Sequence, residues 1–244
     1  MADSLSFNGT DLSVYGLRFL EYDDIFEQLT ESAQVSDKAI PLGSVRPPRV
    51  ITIPVVIKAA SLALRQSYVD SIKSVLNVNA PAVLKIDSIT DRYWLAMGKL
   101  EGRPESAKNF IGTITFTCFD PNAYDNTETT SPHTIDADPK TFNEVVGGTA
   151  ETKPVYTLTA GDTITAITIT NATTGEEFEI TVAMVDTDVL VINTATGVVT
   201  LNGTEVMTGA PVTSQFPKLL PGTNAFTVTG FSGAMVTVYP KRYA

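Results

Sequence analysis

Apolar and polar residues alternate along much of this chain, the period of strands with one face buried. EFEITVA sets Phe178, Ile180 and Val182 against Glu177, Glu179 and Thr181. NFIGTITFTCF carries Ile111, Ile114 and Phe116, with Thr113, Thr115 and Thr117 between. TITAITIT also alternates but slips between Ala166 and Ile167, as a β-bulge requires. In RVITIPVVIKA, Ile51, Ile53 and Val55 share a face. Pro54 removes one ladder donor there, which predicts an edge position or a bulge. AVLKID and RYWLAMGKLEG read as two more strands. One segment has the other period: in SLALRQSYVDSIKSVLN, Leu64, Tyr68, Ile72, Val75 and Leu76 fall three or four apart. That spacing predicts a helix with one apolar stripe, N-capped by Ser61 and ended by Asn77 and Asn79.

Turn signals divide these elements. Asn8-Gly9 and Gly16 break LSFNGTDLSVYGLRF, and two prolines in GSVRPPR impose extended backbone. NATTG (171–175) and NTATG (193–197) are matching five-residue turns, and Asn202-Gly203 marks a tight hairpin. Strands in this second half recur about every 8–12 residues, the spacing of a sandwich. Between the halves, DNTETTSPHTIDADPKT (125–141) has only Ile135 and Ala137 as apolar members and reads as a connector. The expected organisation is therefore mainly β with one helix: a sheet closed over the helix in residues 1–125, a linker at 126–150, and an antiparallel β-sandwich over 151–244.

Composition narrows the chemistry. The chain has 244 residues and a formal net charge of −10. Up to Asp125 there are 12 basic and 15 acidic residues, a balance of −3; beyond it there are 5 and 12, a balance of −7. That charge disfavours binding to a phosphate backbone, so no nucleic-acid partner is expected. VITIPVVIKAASLAL, the most apolar window, is too short and too interrupted by Pro54 and Lys58 to span a bilayer. The N-terminal MADSLSFNGTD shows no secretory signal pattern, which predicts synthesis in a cytoplasm.

Cys118 is the single cysteine and His133 the single histidine. Cys118 alternates with threonines as a small buried residue would, and His133 lies in the polar stretch beside Pro132, where solvation is the expectation. A nucleophile–base pair has no base to draw on. Carboxylates cluster at Asp186 with Asp188, at Glu176–Glu179, and at Asp87 with Asp91. All are expected beside turns or on the wet faces of strands. No segment has the spacing of a calcium loop, one Cys and one His cannot make a zinc site, and GxGxxG and GxxxxGK[ST] are absent. Trp94 reads as core, as do most of the second half's aromatics: Tyr156, Phe178, Phe216, Phe226, Phe231 and Tyr239. No catalytic residue, metal or cofactor is expected.

The order of the pieces resembles siphophage distal tail proteins. FNGTDLSVYGLRFL is similar to their opening. SYVDSIKSVLN, PAVLKIDSITDRYWLAMGKLEG and NFIGTITFTCFDPNAY are similar to their N-terminal domain, with Phe119 inserted before Asp120 in the closing motif. GGTAETKPVYTLT, ITNATTGEEFEI, VINTATGVVTLNG and FPKLLPGTNAFTVTG resemble their C-terminal domain. The resemblance implies an N-terminal split β-barrel with its helix, which builds a hexameric ring at the distal end of the tail tube. It also implies an outward C-terminal sandwich, galectin-like in several members. Expected partners are five further copies of the chain, the tail tube protein, a tip or fibre protein and receptor-binding proteins, in a virion tail. Residues 23–48, with Phe26, Leu29, Val35, Ile40 and Leu42, are expected either as an arm onto a neighbouring subunit or as a surface loop.

Two other readings compete. A carbohydrate-binding module would recognise a host glycan through an exposed aromatic of the second half. A tail tube subunit shares the split barrel but stacks into long tubes.

Overall fold

The computed structural model describes residues 4–20, 47–87, 89 and 91–244. They form two compact units, divided between Ala123 and Tyr124.

The N-terminal unit contains β1 (Leu5–Phe7), β2 (Thr10–Asp11), β3 (Leu17–Phe19), β4 (Arg49–Lys58), α1 (Leu62–Leu76), β5 (Ala82–Ile86), β6 (Arg92–Pro104) and β7 (Asn109–Cys118). Its strands run β3-β4-β7-β6-β5-β1-β2, every pairing antiparallel. The two ends of that order, β2 and β3, are joined by a single 3-10 turn, Leu12–Tyr15. Asp11 caps the turn by accepting from Ser13 N at 2.8 Å. Gly16 then leaves it at φ +66°, with the Lys58 carbonyl packed where a Cβ would stand. No pairing joins β2 to β3 among the described residues, so the sheet curls without closing.

Contrary to the expectation of an edge strand or a bulge, Pro54 lies in an unbroken β4 flanked by β3 and β7. Its carbonyl accepts from Leu20 N, so its missing N–H faces the β3 side, and registered pairing with β3 covers only Val55, Val56 and Ile57. The other side of β4 pairs with β7 along its whole length.

Helix α1 is capped by Ser61, whose Oγ accepts from Leu64 N at 3.2 Å, as expected. The buried stripe, however, is Arg65, Val69, Ile72 and Leu76, while Leu64 is exposed. The apolar stem of Arg65 lies inward, and its guanidinium reaches the carbonyl of Ser106. That hydrogen bond lets a cation occupy a position the apolar pattern assigned elsewhere. Over the sheet, Ile72 and Leu76 join a core of Leu5, Phe7, Ile53, Ile57, Leu84, Ile114 and Phe116. Trp94 and Cys118 are buried in this unit, as the sequence suggested. Among the described residues no helix is long and apolar enough to cross a membrane.

The C-terminal unit is a sandwich. One sheet runs β15-β14-β13-β10-β17-β8, using β8 (Ala123–Ile135), β10 (Val155–Ala160), β13 (Val189–Asn193), β14 (Val198–Leu201), β15 (Thr204–Glu205) and β17 (Gly233–Tyr243). The other runs β12-β11-β16-β9, using β9 (Lys140–Val146), β11 (Ile164–Asn171), β12 (Glu176–Met184) and β16 (Gly222–Thr229). Tyr156, Leu158, Ile167, Ile169, Phe178, Ile180, Leu190, Ile192, Val228 and Met235 fill the space between them. Phe178, Ile180 and Val182 all point inward, and the register of β11 slips between Ile164 and Ala166, two residues before the position the pattern marked. Asn193 closes the 193–197 turn by accepting from Ala195 N and Thr196 N, and Asn171 does the same for Thr173 N. Asn202 and Gly203, both at positive φ, make the hairpin between β14 and β15.

Residues 125–141 differ from the connector expected of them. They run through β8 and into β9, inside the sandwich. Their composition misled because the half-buried positions of β8 are polar: Thr129, Ser131 and His133 alternate with exposed Glu128, Thr130, Pro132 and Thr134. The period is that of a strand, without apolar residues to announce it.

Candidate functional site

The sandwich holds a buried polar cluster that draws on three strands. His133 of β8 is 16% exposed, not solvated as expected, and its ring stacks on Phe142 with centroids 4.0 Å apart. Its Nε2 meets Oε2 of Glu144, from β9, at 2.8 Å. The hydroxyl of Tyr239, from β17, donates to Oε1 of the same carboxyl at 3.0 Å. Glu144 is 3% exposed. Burial, then the Glu144 carboxyl, pushes the Tyr239 phenol well above the usual tyrosine range, so it stays a donor. Ser131 Oγ lies 3.3 Å from His133 Nε2. Ser, His and Glu thus stand together, but the hydroxyl and the carboxyl approach the same ring nitrogen. A hydrolytic triad needs them on opposite nitrogens, so that one orients the base while the other surrenders its proton. The cluster ties the two sheets together rather than activating a nucleophile. Only the i, i+2 placement of Ser131 and His133 hinted at it in the sequence.

Three further carboxylates bond groups of the fold itself. Asp188 accepts from Val185 N and from Asn202 Nδ2, both at 2.8 Å. These bonds hold its carboxyl below the usual range, the backbone N–H foremost. Glu176 accepts from Lys218 N at 2.8 Å, and Glu177 from Thr170 Oγ1 at 3.0 Å. Among the described residues no three His, Cys, Asp or Glu side chains gather into a metal-holding group. Cys118 is fully buried, and loss of hydration pushes its thiol up to about 11, so it is a poor nucleophile at neutral pH.

The stretch 214–222 is fixed along one flank of the sandwich. Gln215 N donates to the Glu177 carbonyl at 2.7 Å, and Ser214 Oγ bonds both Glu179 N and O. Tyr156 Oη donates to the Pro217 carbonyl at 3.0 Å. Asn171 Nδ2 donates to the Lys218 carbonyl at 2.8 Å, while Asn224 accepts from Leu220 N and donates to Leu220 O. The proline–glycine turn at 221–222 thereby delivers β16 into the sheet.

The aromatic rings of the C-terminal unit are buried or half-buried. Tyr156, Phe178, Phe226, Phe231 and Tyr239 are buried, and Phe216 stacks on Phe178 at 5.1 Å. Among the described residues of this unit no aromatic is exposed, so the platform that a glycan-binding reading expects is not displayed. The five arm residues, Phe26, Leu29, Val35, Ile40 and Leu42, lie outside the described residues.

Residues 147–243 match the family of siphovirus-type tail components, C-terminal domain. With that match the tail-protein resemblance of the sequence is borne out. The fold of the whole chain is similar to the Dit protein of phage SPP1, a hub of the adsorption apparatus of phages infecting Gram-positive bacteria. The two share 13% identity over all of both chains, with a TM-score of 0.77. It is also similar to a chain of the phage P2 baseplate in its calcium-activated conformation, at 14% identity, 98% of each chain and a TM-score of 0.51. The strontium form of the p2 baseplate gives 12% identity, 98% of this chain and 97% of that one, with a TM-score of 0.51. No curated protein matches the sequence.

Proposed function

We propose that this protein is a structural hub of a siphophage tail, with no catalytic role of its own. One observation carries the reading: the likeness to the SPP1 hub extends over the full length of both chains, and the family match in residues 147–243 independently points to the same class. In this reading the N-terminal unit forms a hexameric ring at the distal end of the tail tube. The C-terminal sandwich faces outward and holds the tip or adsorption apparatus. The protein is made in the host cytoplasm and ends in the virion tail. The bonding of the buried polar groups to one another fits a part that must be rigid rather than reactive.

Light scattering after size exclusion, with electron microscopy of the same fraction, tests the assembly. A closed ring of six has a mass of about 157 kDa, six times 26.1 kDa. Long stacked tubes would indicate a tube subunit instead. A monomer at every concentration would sink self-assembly into a ring and shift attention to a free-standing binding module, to be probed by titration with glycans.

A further inference from the structure

We propose that the outer edge of β9 is a docking edge for an extended, basic segment of a partner protein, which would add a fifth strand to the β12-β11-β16-β9 sheet. Ala172 N donates to Ala225 O, and Ala225 N to Thr173 Oγ1, so the odd-numbered residues of β16 face β11. Its even-numbered residues therefore face β9, where Asn224, Phe226 and Val228 are opposite Glu144, Phe142 and Lys140. In an antiparallel ladder both backbone groups of a residue point the same way. Thr141, Asn143 and Val145 consequently turn their N–H and C=O groups to the outside.

All three are exposed, Val145 by 70%. Tyr239 Oη reaches the Val145 carbonyl at 3.3 Å. The N–H groups of Thr141, Asn143 and Val145, and the carbonyls of Thr141 and Asn143, have no protein partner among the described residues. An uncovered row of this kind is a template for strand addition. The opposite edge of the same sheet is treated differently. There Ser214 and Gln215 occupy the outward groups of β12. At the end of the other sheet, β14 is covered by the two-residue β15.

The surroundings state what the edge accepts. Residues 124–244 hold 13 acidic and 5 basic side chains, a balance of −8. Lys140, the one cation on β9, is already paired with Asp136. A second copy of this acidic unit, or any acidic segment, would be repelled, whereas a basic one would be drawn in. Inward side chains of the added strand would meet Ser131 and the exposed part of His133, so hydroxyl, amide or lysine side chains fit there better than aliphatic ones. The outward side chains would continue a face of Thr141, Asn143, Thr227 and Thr170.

Hydrogen–deuterium exchange by mass spectrometry on the full chain tests this, with a blocked heptapeptide alternating Lys and Thr as the probe. At peptide concentrations about ten times its Kd, exchange within 140–146 should slow about tenfold, while 176–184 is unchanged. A Glu–Thr heptapeptide should have no effect. Asn143→Pro and Thr141→Pro each remove an outward N–H without breaking the β16 ladder, and both should abolish the protection. Their melting temperatures report whether they fold. The proposal fails if millimolar Lys–Thr peptide leaves 140–146 unprotected, if the Glu–Thr peptide protects equally, or if a folded proline variant stays protected. Protection that rises with protein concentration alone would assign the edge to a second copy and overturn the partner proposed.

Discussion

Replacing Tyr239 by Phe tests whether the Glu144 cluster holds the two sheets of the sandwich together. The substitution keeps the ring, which is 1% exposed, and removes only the hydroxyl that donates to Glu144 Oε1 at 3.0 Å and approaches the Val145 carbonyl. Glu144 retains His133 but loses its second partner in a site closed to water. A buried acceptor left short of a donor costs about 1–3 kcal/mol. The C-terminal unit spans 124–244, which is 244 minus 123, or 121 residues. At ~2.1 cal/mol/K per residue its unfolding entropy near 60 °C is ~0.25 kcal/mol/K, so Tm should fall by about 4–12 °C. Scanning calorimetry reads that shift. Trp94, the single tryptophan, lies in the N-terminal unit and reports by fluorescence on a region the substitution does not touch. A shift under ~2 °C, with the fold intact by circular dichroism, would show that the carboxyl finds another donor and that the cluster does not hold the sheets together.

Other outcomes follow from single contacts. Cys118 is neutral in the fold up to about 11 against an ordinary value of 9.0, so its contribution is complete below pH 9 and is lost as pH rises through 11. Cys118→Ala should flatten the decline of Tm between pH 9 and 11, and an unchanged slope would contradict this. Gly98→Ala would set a Cβ 2.6 Å from Leu76 Cδ2 and 2.8 Å from Phe116 Cε1, atoms packed in the core of the N-terminal unit. It should destabilise that unit by about 1–3 kcal/mol in urea melts followed by Trp94 fluorescence. Ser61→Ala removes the acceptor for Leu64 N and should cost ~1 kcal/mol in the same melt, with Ser61→Asp largely restoring it.

What could be read from the sequence was what hydrophobicity encodes. β12 and β7 were visible because their inward positions are Phe, Ile and Val, and α1 because its cap and period agree. The same signal failed where polar residues face inward. β8 looks like a linker, since the side chains it turns inward include Ser131 and His133, and their acceptability depends on Glu144 eleven residues beyond His133. The α1 stripe was displaced because Arg65 is tolerated inside only through the Ser106 carbonyl, 41 residues away in the chain. The polar cluster was hidden for the same reason, since each member is ordinary until folding supplies its partner. His133 and Cys118 were visible as isolated residues; the burial read for the cysteine held, whereas the histidine expected in solvent is packed against Phe142.

Asn171 and Asn224 have a consequence for how the sandwich selects one alignment. ITIT in β11 (167–170) and FTVT in β16 (226–229) are nearly self-similar: sliding one past the other by two residues would keep every threonine outward and every apolar side chain inward. Hydrophobic burial alone would scarcely tell the two alignments apart. The buried asparagines would tell them apart at once. A two-residue slip would strip Asn171 Nδ2 of the Lys218 carbonyl and of Asn224 Oδ1, leaving a buried amide dry and unbonded. Two residues with no chemistry to perform thus act as the key that makes a repetitive pattern fit in one way.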